Sequence, residues 1–159
     1  MSSNLSWLSA PYAAHMSPDR IVSTSRVIPV SPSAIFDLLA DPRKHGTFDG
    51  SGTVLAIRSA PTRLSLGATF SVHMKLYGVN YVVKNRVVAF KENKCIAWHH
   101  IAQFIWRYDL EEVPGGTKVT ESFNFDKPWA FVINLWHKDD SNLRDMQATL
   151  ERLEKVVTA

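Results

Sequence analysis

Residues 117–157 read TKVTESFNFDKPWAFVINLWHKDDSNLRDMQATLERLEKVV, and the spacing of their apolar residues changes at Pro128. Before it, Val119, Phe123 and Phe125 alternate with polar neighbours, as in a strand with one covered face. After it, Trp129, Val132, Ile133, Trp136, Leu143, Met146, Leu150, Leu153 and Val157 recur at helical spacing. The pattern predicts one helix over 128–157, about three times the ordinary length. So long a helix with one apolar face must be covered by a sheet.

Upstream, alternation runs almost without a break from Thr53, with strands expected at 53–59, 67–77, 79–90, 95–102, 104–113 and 117–126. The interruptions are turn-like: Tyr77-Gly78, Lys91–Lys94, Ala102-Gln103 and Pro114–Gly116. Connections this short join antiparallel strands, because parallel pairs need a crossover of about a dozen residues. A further strand is expected at 20–30, rich in β-branched residues. Ser31 at an N-cap and Pro32 at the first helical position then open a short helix carrying Ile35, Phe36, Leu38 and Leu39. Asp41-Pro42 ends it, and residues 42–52 form a second short turn and loop. The fold class is therefore α+β, a helix-grip: a seven-stranded curved antiparallel sheet around a long C-terminal helix, with two short helices after the first strand. One domain is expected over 19–158, behind a flexible leader at 1–18.

With 159 residues the chain is long enough to bury a core without a staple. Its single cysteine, Cys95, excludes an internal disulfide and a four-thiolate zinc site, and reads as an ordinary small apolar residue. Net charge is +3, but the 18 basic residues are dispersed and only Arg43 and Lys44 touch. Nucleic-acid binding needs a clustered basic stripe, so none is expected. Apolar runs are far short of the ~20 residues that span a bilayer, so no membrane insertion is expected either. The location read from these features is cytoplasmic and the assembly a monomer or homodimer, with no cofactor. Gly50-Ser51-Gly52 precedes a strand, whereas a phosphate loop follows one. No Gly-x-Ser-x-Gly elbow is present. His99 and His100 are strand neighbours facing opposite ways, so no metal site is expected. Asp139 and Asp140 read as a solvated stretch or the rim of a pocket entrance.

Alternation also assigns faces. Inward go Phe70, Val72, Met74, Leu76, Tyr81, Val83, Asn85, Val87, Ile96, Trp98, His100, Phe104, Trp106, Tyr108, Leu110, Val119, Glu121, Phe123 and Phe125. The charged sets, Arg107 and Asp109 included, go to solvent. The residues expected to line a ligand site are Phe70, Val72, Met74, Tyr81, Val83, Asn85, Trp98, Trp106, Tyr108, Phe123 and Phe125, with Trp129, Ile133 and Trp136 from the helix. Asn85, His100 and Glu121 are polar residues on an apolar face. If 91–94 is a four-residue turn, Asn85 pairs with His100; if 114–117 is one, Glu121 pairs with Leu110 and Phe123 with Tyr108. A buried carboxyl is costly unless bonded or neutral, and burial raises its pKa. His100 and Glu121 are therefore the candidate catalytic pair for general acid/base chemistry. Ligand orientation and plain structural satisfaction stay open as alternative roles.

Four stretches carry a resemblance: VSPSAIFDLLADPRKHGTF (30–48), NRVVAFKENKCIAWHH (85–100), IWRYDLEEVPGGTKVTESFNF (105–125) and NLRDMQATLERLEKV (142–156). Together they resemble the START-like (SRPBCC) superfamily of polyketide cyclase/dehydrase and lipid-transport proteins, across about residues 20–157. One departure is Phe48, near a place where that family often has Trp. The resemblance implies an internal cavity between sheet and helix that binds a small hydrophobic ligand, polyketide-, lipid- or aromatic-like. Its members also include cyclase/aromatase enzymes, which makes His100 and Glu121 the acid/base pair of an alternative reading. A protein-interaction module without ligand is the third.

Overall fold

In the computed structural model, residues 21–100, 103–125 and 139–159 are described. Ser31 stands extended (φ −68°, ψ 154°) before α1 (Pro32–Leu39), with Pro32 opening the helix as expected. The Ser31 hydroxyl does not cap it; it meets the Ser33 hydroxyl at 3.0 Å instead. Asp41 does cap, accepting from the Arg43 backbone N–H at the start of a 3-10 turn, Pro42–Lys44, which runs into α2 (His45–Phe48). Ile35, Phe36, Leu38 and Leu39 of α1 are all buried.

The strands are β1 (Ile21–Ile28), β2 (Val54–Ser59), β3 (Thr69–Leu76), β4 (Val79–Lys91), β5 (Cys95–His99), β6 (Ile105–Val113) and β7 (Gly116–Asn124). They form one sheet ordered β1-β7-β6-β5-β4-β3-β2, every neighbouring pair antiparallel. Five connections make the meander from β2 to β7, all short except residues 60–68 between β2 and β3, and β1 adds to the β7 edge. Helix α3 (Asp139–Thr158) buries Met146, Leu150 and Leu153. Leu150 and Leu153 join Ile28, Ile35, Phe36, Phe70, Val87, Ile96, Trp98, Tyr108 and Val119 in one core between sheet and helices. Arg26 pairs with Glu154 at the far end of α3. The expected leader at 1–18 and the part of the expected helix before Asp139 lie outside the described residues.

Two turns differ from expectation, and both differences are instructive. Lys91 pairs with Cys95 directly, so the loop is the three residues 92–94, with Asn93 left-handed at φ 58°. On its own this would move Asn85 away from His100. A one-residue bulge then lies between Val87 and Ala89: Val87 pairs with Trp98, but Ala89 pairs with Ala97. The bulge absorbs the offset, Arg86 meets His99, and Asn85 and His100 face each other after all. The second turn is the two residues Pro114-Gly115, not four, with Val113 paired to Gly116. Proline first and Gly115 at φ 92° second is the arrangement a type II turn requires. The register therefore moves by two: Glu121 pairs with Tyr108 rather than Leu110, and Phe123 with Trp106 rather than Tyr108. An even shift keeps every side chain on its face, and only an odd one would have turned Glu121 outward.

One face assignment needs correction. Arg107 points away from the main core yet is buried, with its guanidinium held by two 2.6 Å bonds to Asp109. Opposite it in the ladder is Ala97, one of a second small cluster with Ala89, Cys95 and Ile105 on the outer face. Side chains this small leave room for an arginine stem to lie down rather than extend into water. No helix among the described residues is long and apolar enough to cross a membrane.

Candidate functional site

The curved sheet does not close fully on α3, and a cavity of about 350 Å³ remains between them. Its back wall is the concave face of β3 to β7; its front is α2, the loop from Asp49 to Thr53, and α3 at Asn142, Asp145 and Thr149. Of the residues expected at a site, Phe70, Val72, Met74, Tyr81, Asn85, Trp98, His100, Trp106, Tyr108, Glu121 and Phe123 all line this cavity. Val83 is buried in the main core, and Phe125 packs with Phe104, Phe123 and Met146 in a separate cluster. Neither is among the lining residues. Trp129, Ile133 and Trp136 lie outside the described residues, as do the side chains of Asp139 and Asp140.

The walls are aromatic. Trp98 stacks on His45 (centroids 5.2 Å, planes 19° apart) and meets Phe70 edge-on at 5.6 Å. Trp106 and Phe123, cross-strand partners in the shifted register, have centroids 4.8 Å apart. Such contacts hold large rings in fixed orientations, so the cavity is shaped before any ligand arrives.

Glu121, fully buried on β7, is held by its neighbours on β6. Its Oε1 accepts hydrogen bonds from Trp106 Nε1 and Tyr108 Oη, both at 2.9 Å. Its Oε2 is buried and finds no partner among the described residues. Burial pushes the Glu121 pKa up from 4.5 to about 8, against the opposing pull of the Tyr108 and Trp106 donors. Burial also raises the Tyr108 phenol, reinforced by the carboxyl beside it. Glu121 is therefore mostly a neutral acid at pH 7, by about tenfold.

His100 sits just beyond the end of β5, where its backbone N–H donates to Phe104 O at 2.7 Å across the turn. Its Nδ1 lies 2.9 Å from Asn85 Oδ1. A carbonyl oxygen only accepts, so Nδ1 carries the proton and Nε2 keeps its lone pair. Burial lowers the His100 pKa from 6.5 to about 4, so the imidazole is neutral. One apolar chamber thus holds a neutral acid and a neutral base, each pushed from its ordinary value in the direction that removes charge.

Sequence reasoning missed the front of the cavity. His45 donates from Nε2 to Leu39 O at 2.8 Å, and burial lowers its pKa. Its position in a short helical turn gave no periodic signal that it faces inward. Asp49 is the organiser of the following loop: Oδ1 accepts from the Ser51 N–H and hydroxyl, and Oδ2 from the Val54 N–H. Gly50 presses this loop against α3, its N–H donating to Thr149 Oγ1 at 2.9 Å. A Cβ there would lie 2.2 Å from Asp145 O, so only glycine permits the approach. The signal in the sequence was Gly50 itself, whose use depends on a helix about 100 residues away. Among the described residues no group of three or more His, Cys, Asp or Glu could hold a metal ion.

Comparisons with known proteins agree with this architecture. The family model for polyketide cyclase / dehydrase and lipid transport matches residues 19–158. An uncharacterized protein of Mycobacterium tuberculosis is 36% identical over 138 residues, covering 83% of this chain and 62% of that protein. The chain thus spans less than two thirds of the length of this curated relative. Solved structures of similar fold include a Mycobacterium smegmatis protein (TM-score 0.70, 15% identity, covering 91% of this chain and 95% of the other). Another comes from Rhodobacter sphaeroides (TM-score 0.70, 12% identity, 91% and 97% covered). A third is an AHSA1-like protein from Aeromonas hydrophila (TM-score 0.66, 15% identity, 87% and 92% covered). At these identities the likeness shows the helix-grip fold alone.

Proposed function

Since the chain belongs to the polyketide cyclase/dehydrase and lipid transport family, we propose that its cavity takes up a small hydrophobic ligand, polyketide-, lipid- or aromatic-like. The observation that carries this reading is the cavity itself: about 350 Å³, walled mainly by aromatic and aliphatic side chains, with a few polar groups at fixed places. That composition is the one small-molecule sites share. The volume is roughly twice that of the ~150 Å³ cavity that holds benzene, which suits a ligand of two or three fused rings or a short branched chain. The test is native mass spectrometry of gently purified protein, followed by titration with naphthalene-sized and acyl-chain compounds. Co-purified hydrophobic mass, or saturable binding that Trp98→Ala weakens, supports the reading. Empty protein that binds none of them rejects it.

A second reading, a cyclase- or dehydrase-type proton transfer, is favoured by His100 and Glu121 in the same cavity. His100 Nε2 would take a proton from an activated carbon of the ligand, and Glu121 would give one to an oxygen. The two readings separate at Glu121→Gln: an amide still donates a hydrogen bond but transfers no proton, so turnover disappears while binding survives.

A further inference from the structure

We infer that Glu121 anchors the ligand as a neutral carboxylic acid, its Oε2 hydroxyl donating to an uncharged oxygen acceptor, so that the cavity selects ketones, esters and ethers over hydrocarbons of the same shape. The inference rests on the ligand-binding reading above and specifies which chemistry that ligand carries.

The geometry divides the carboxyl into two unequal halves. Oε1 is occupied by two donors fixed on β6, Trp106 Nε1 and Tyr108 Oη. An indole N–H can only donate, so Oε1 must be the accepting, carbonyl-type oxygen. The proton then belongs on Oε2, which is buried and has no partner among the described residues. Glu121 lines the chamber with Phe123, Trp106 and Tyr108, and its buried Oε2, once protonated, is a donor within that wall. A buried donor without an acceptor is a deficit that a ligand oxygen removes and a hydrocarbon does not. Among the described lining residues there is no Lys or Arg. A ligand carboxylate would find no counter-charge there, which is why the acceptor is uncharged.

The titratable groups around Glu121 act in both senses, with the Tyr108 donor lowering its pKa and Asp49 raising it. Tyr108 on β6, Tyr81 on β4, His100 after β5 and His45 on α2 line the same cavity, with Asp49 on the loop and Asp145 on α3. From β1 the ladder partner is Thr24, which does not titrate. Burial is the largest cause of the raised Glu121 pKa, and the negative field of Asp49 adds to it.

The test compares two probes of nearly equal shape, methyl naphthyl ketone and isopropenylnaphthalene, in which a CH2 group replaces the carbonyl oxygen. Affinities are measured by titration calorimetry at about pH 6.5 and about pH 9.5, on either side of the value near 8 at which Glu121 titrates. At the lower pH wild type should bind the ketone about tenfold more tightly than the alkene, the worth of one buried hydrogen bond. At the higher pH that preference should vanish. Glu121→Gln should keep the preference at both pH values, because its carbonyl can stay with Trp106 and Tyr108 while its NH2 takes the place of Oε2. Glu121→Leu should bind both probes alike. Equal affinities in wild type at the lower pH, or loss of the preference in Glu121→Gln, overturns the inference. Should Glu121→Leu not fold, wild type and Glu121→Gln decide the matter. Binding of the alkene with no gain for the ketone sinks only the selectivity; binding of neither sinks the ligand reading beneath it.

Discussion

Raising the pH from about 6.5 to about 8 should destabilise the fold by about 2 kcal/mol through Glu121 alone. Glu121 titrates near 4.5 when exposed and near 8 in the folded chain, so between those values the folded state holds a proton the unfolded state has lost. Its stabilising effect is complete below about 4.5 and declines by about 1.36 kcal/mol per pH unit up to about 8. His100 works in the opposite direction. Its folded value is near 4 against 6.5, so stability is lost as pH falls through that window. His45 is displaced the same way as His100, also by burial. Between about 4.5 and 6.5 the glutamate and histidine slopes oppose each other. Above 6.5 the histidine slopes fade as the unfolded imidazoles lose their protons. The Glu121 contribution of ~2 kcal/mol over 1.5 units is the difference between wild type and Glu121→Gln. Urea denaturation at constant ionic strength measures this. With a slope of roughly 1–3 kcal/mol per M, the wild-type midpoint should drop by about 1 M relative to that of Glu121→Gln. Glu121→Gln, with nothing to ionise, should show no such drop. Parallel midpoints for wild type and Glu121→Gln over this range would refute the claim that burial keeps this carboxyl neutral.

Three further outcomes follow from the same geometry. Tyr108→Phe removes one of the two donors to Oε1, so a carboxyl-carbon NMR titration should place Glu121 above its wild-type value near 8, and an unchanged titration would contradict the hydrogen-bond assignment. Gly50→Ala drives a Cβ into the α3 backbone at Asp145 and Thr149, and should cost about 1–3 kcal/mol by urea denaturation, with weaker binding of any cavity probe. Leu150→Ala opens a void where α3 meets the sheet and should cost about 2–5 kcal/mol without changing the Glu121 titration.

Strand positions were legible because each strand has one face against the core, and that face writes a period of two into the sequence. The ends of β3, β4, β6 and β7 fall within two residues of the expected ranges. The expected strand at 95–102 stops at His99, because His100 leaves the ladder for a turn in which Gln103 is left-handed at φ 60°. Nothing in alternation marks such an exit. Arg107 shows a different limit: periodicity placed it on the outer face correctly, but a face is not a degree of exposure. Whether an outward arginine extends or lies flat depends on the size of its neighbours across the ladder, here Ala97.

By itself, the sequence determined the number and direction of the strands, which residues look inward, and the presence of two ionisable groups in an apolar interior. These follow from local periodicity and turn length, which each segment carries within itself. Only the tertiary structure decided who meets whom. A bulge between Val87 and Ala89 cancels a shorter loop and returns Asn85 to His100. A two-residue turn brings Tyr108, not Leu110, beside Glu121. The front of the cavity forms where Gly50 packs against Thr149 of α3. Register and long-range packing depend on how several segments fill one volume together, and no single segment encodes that sum.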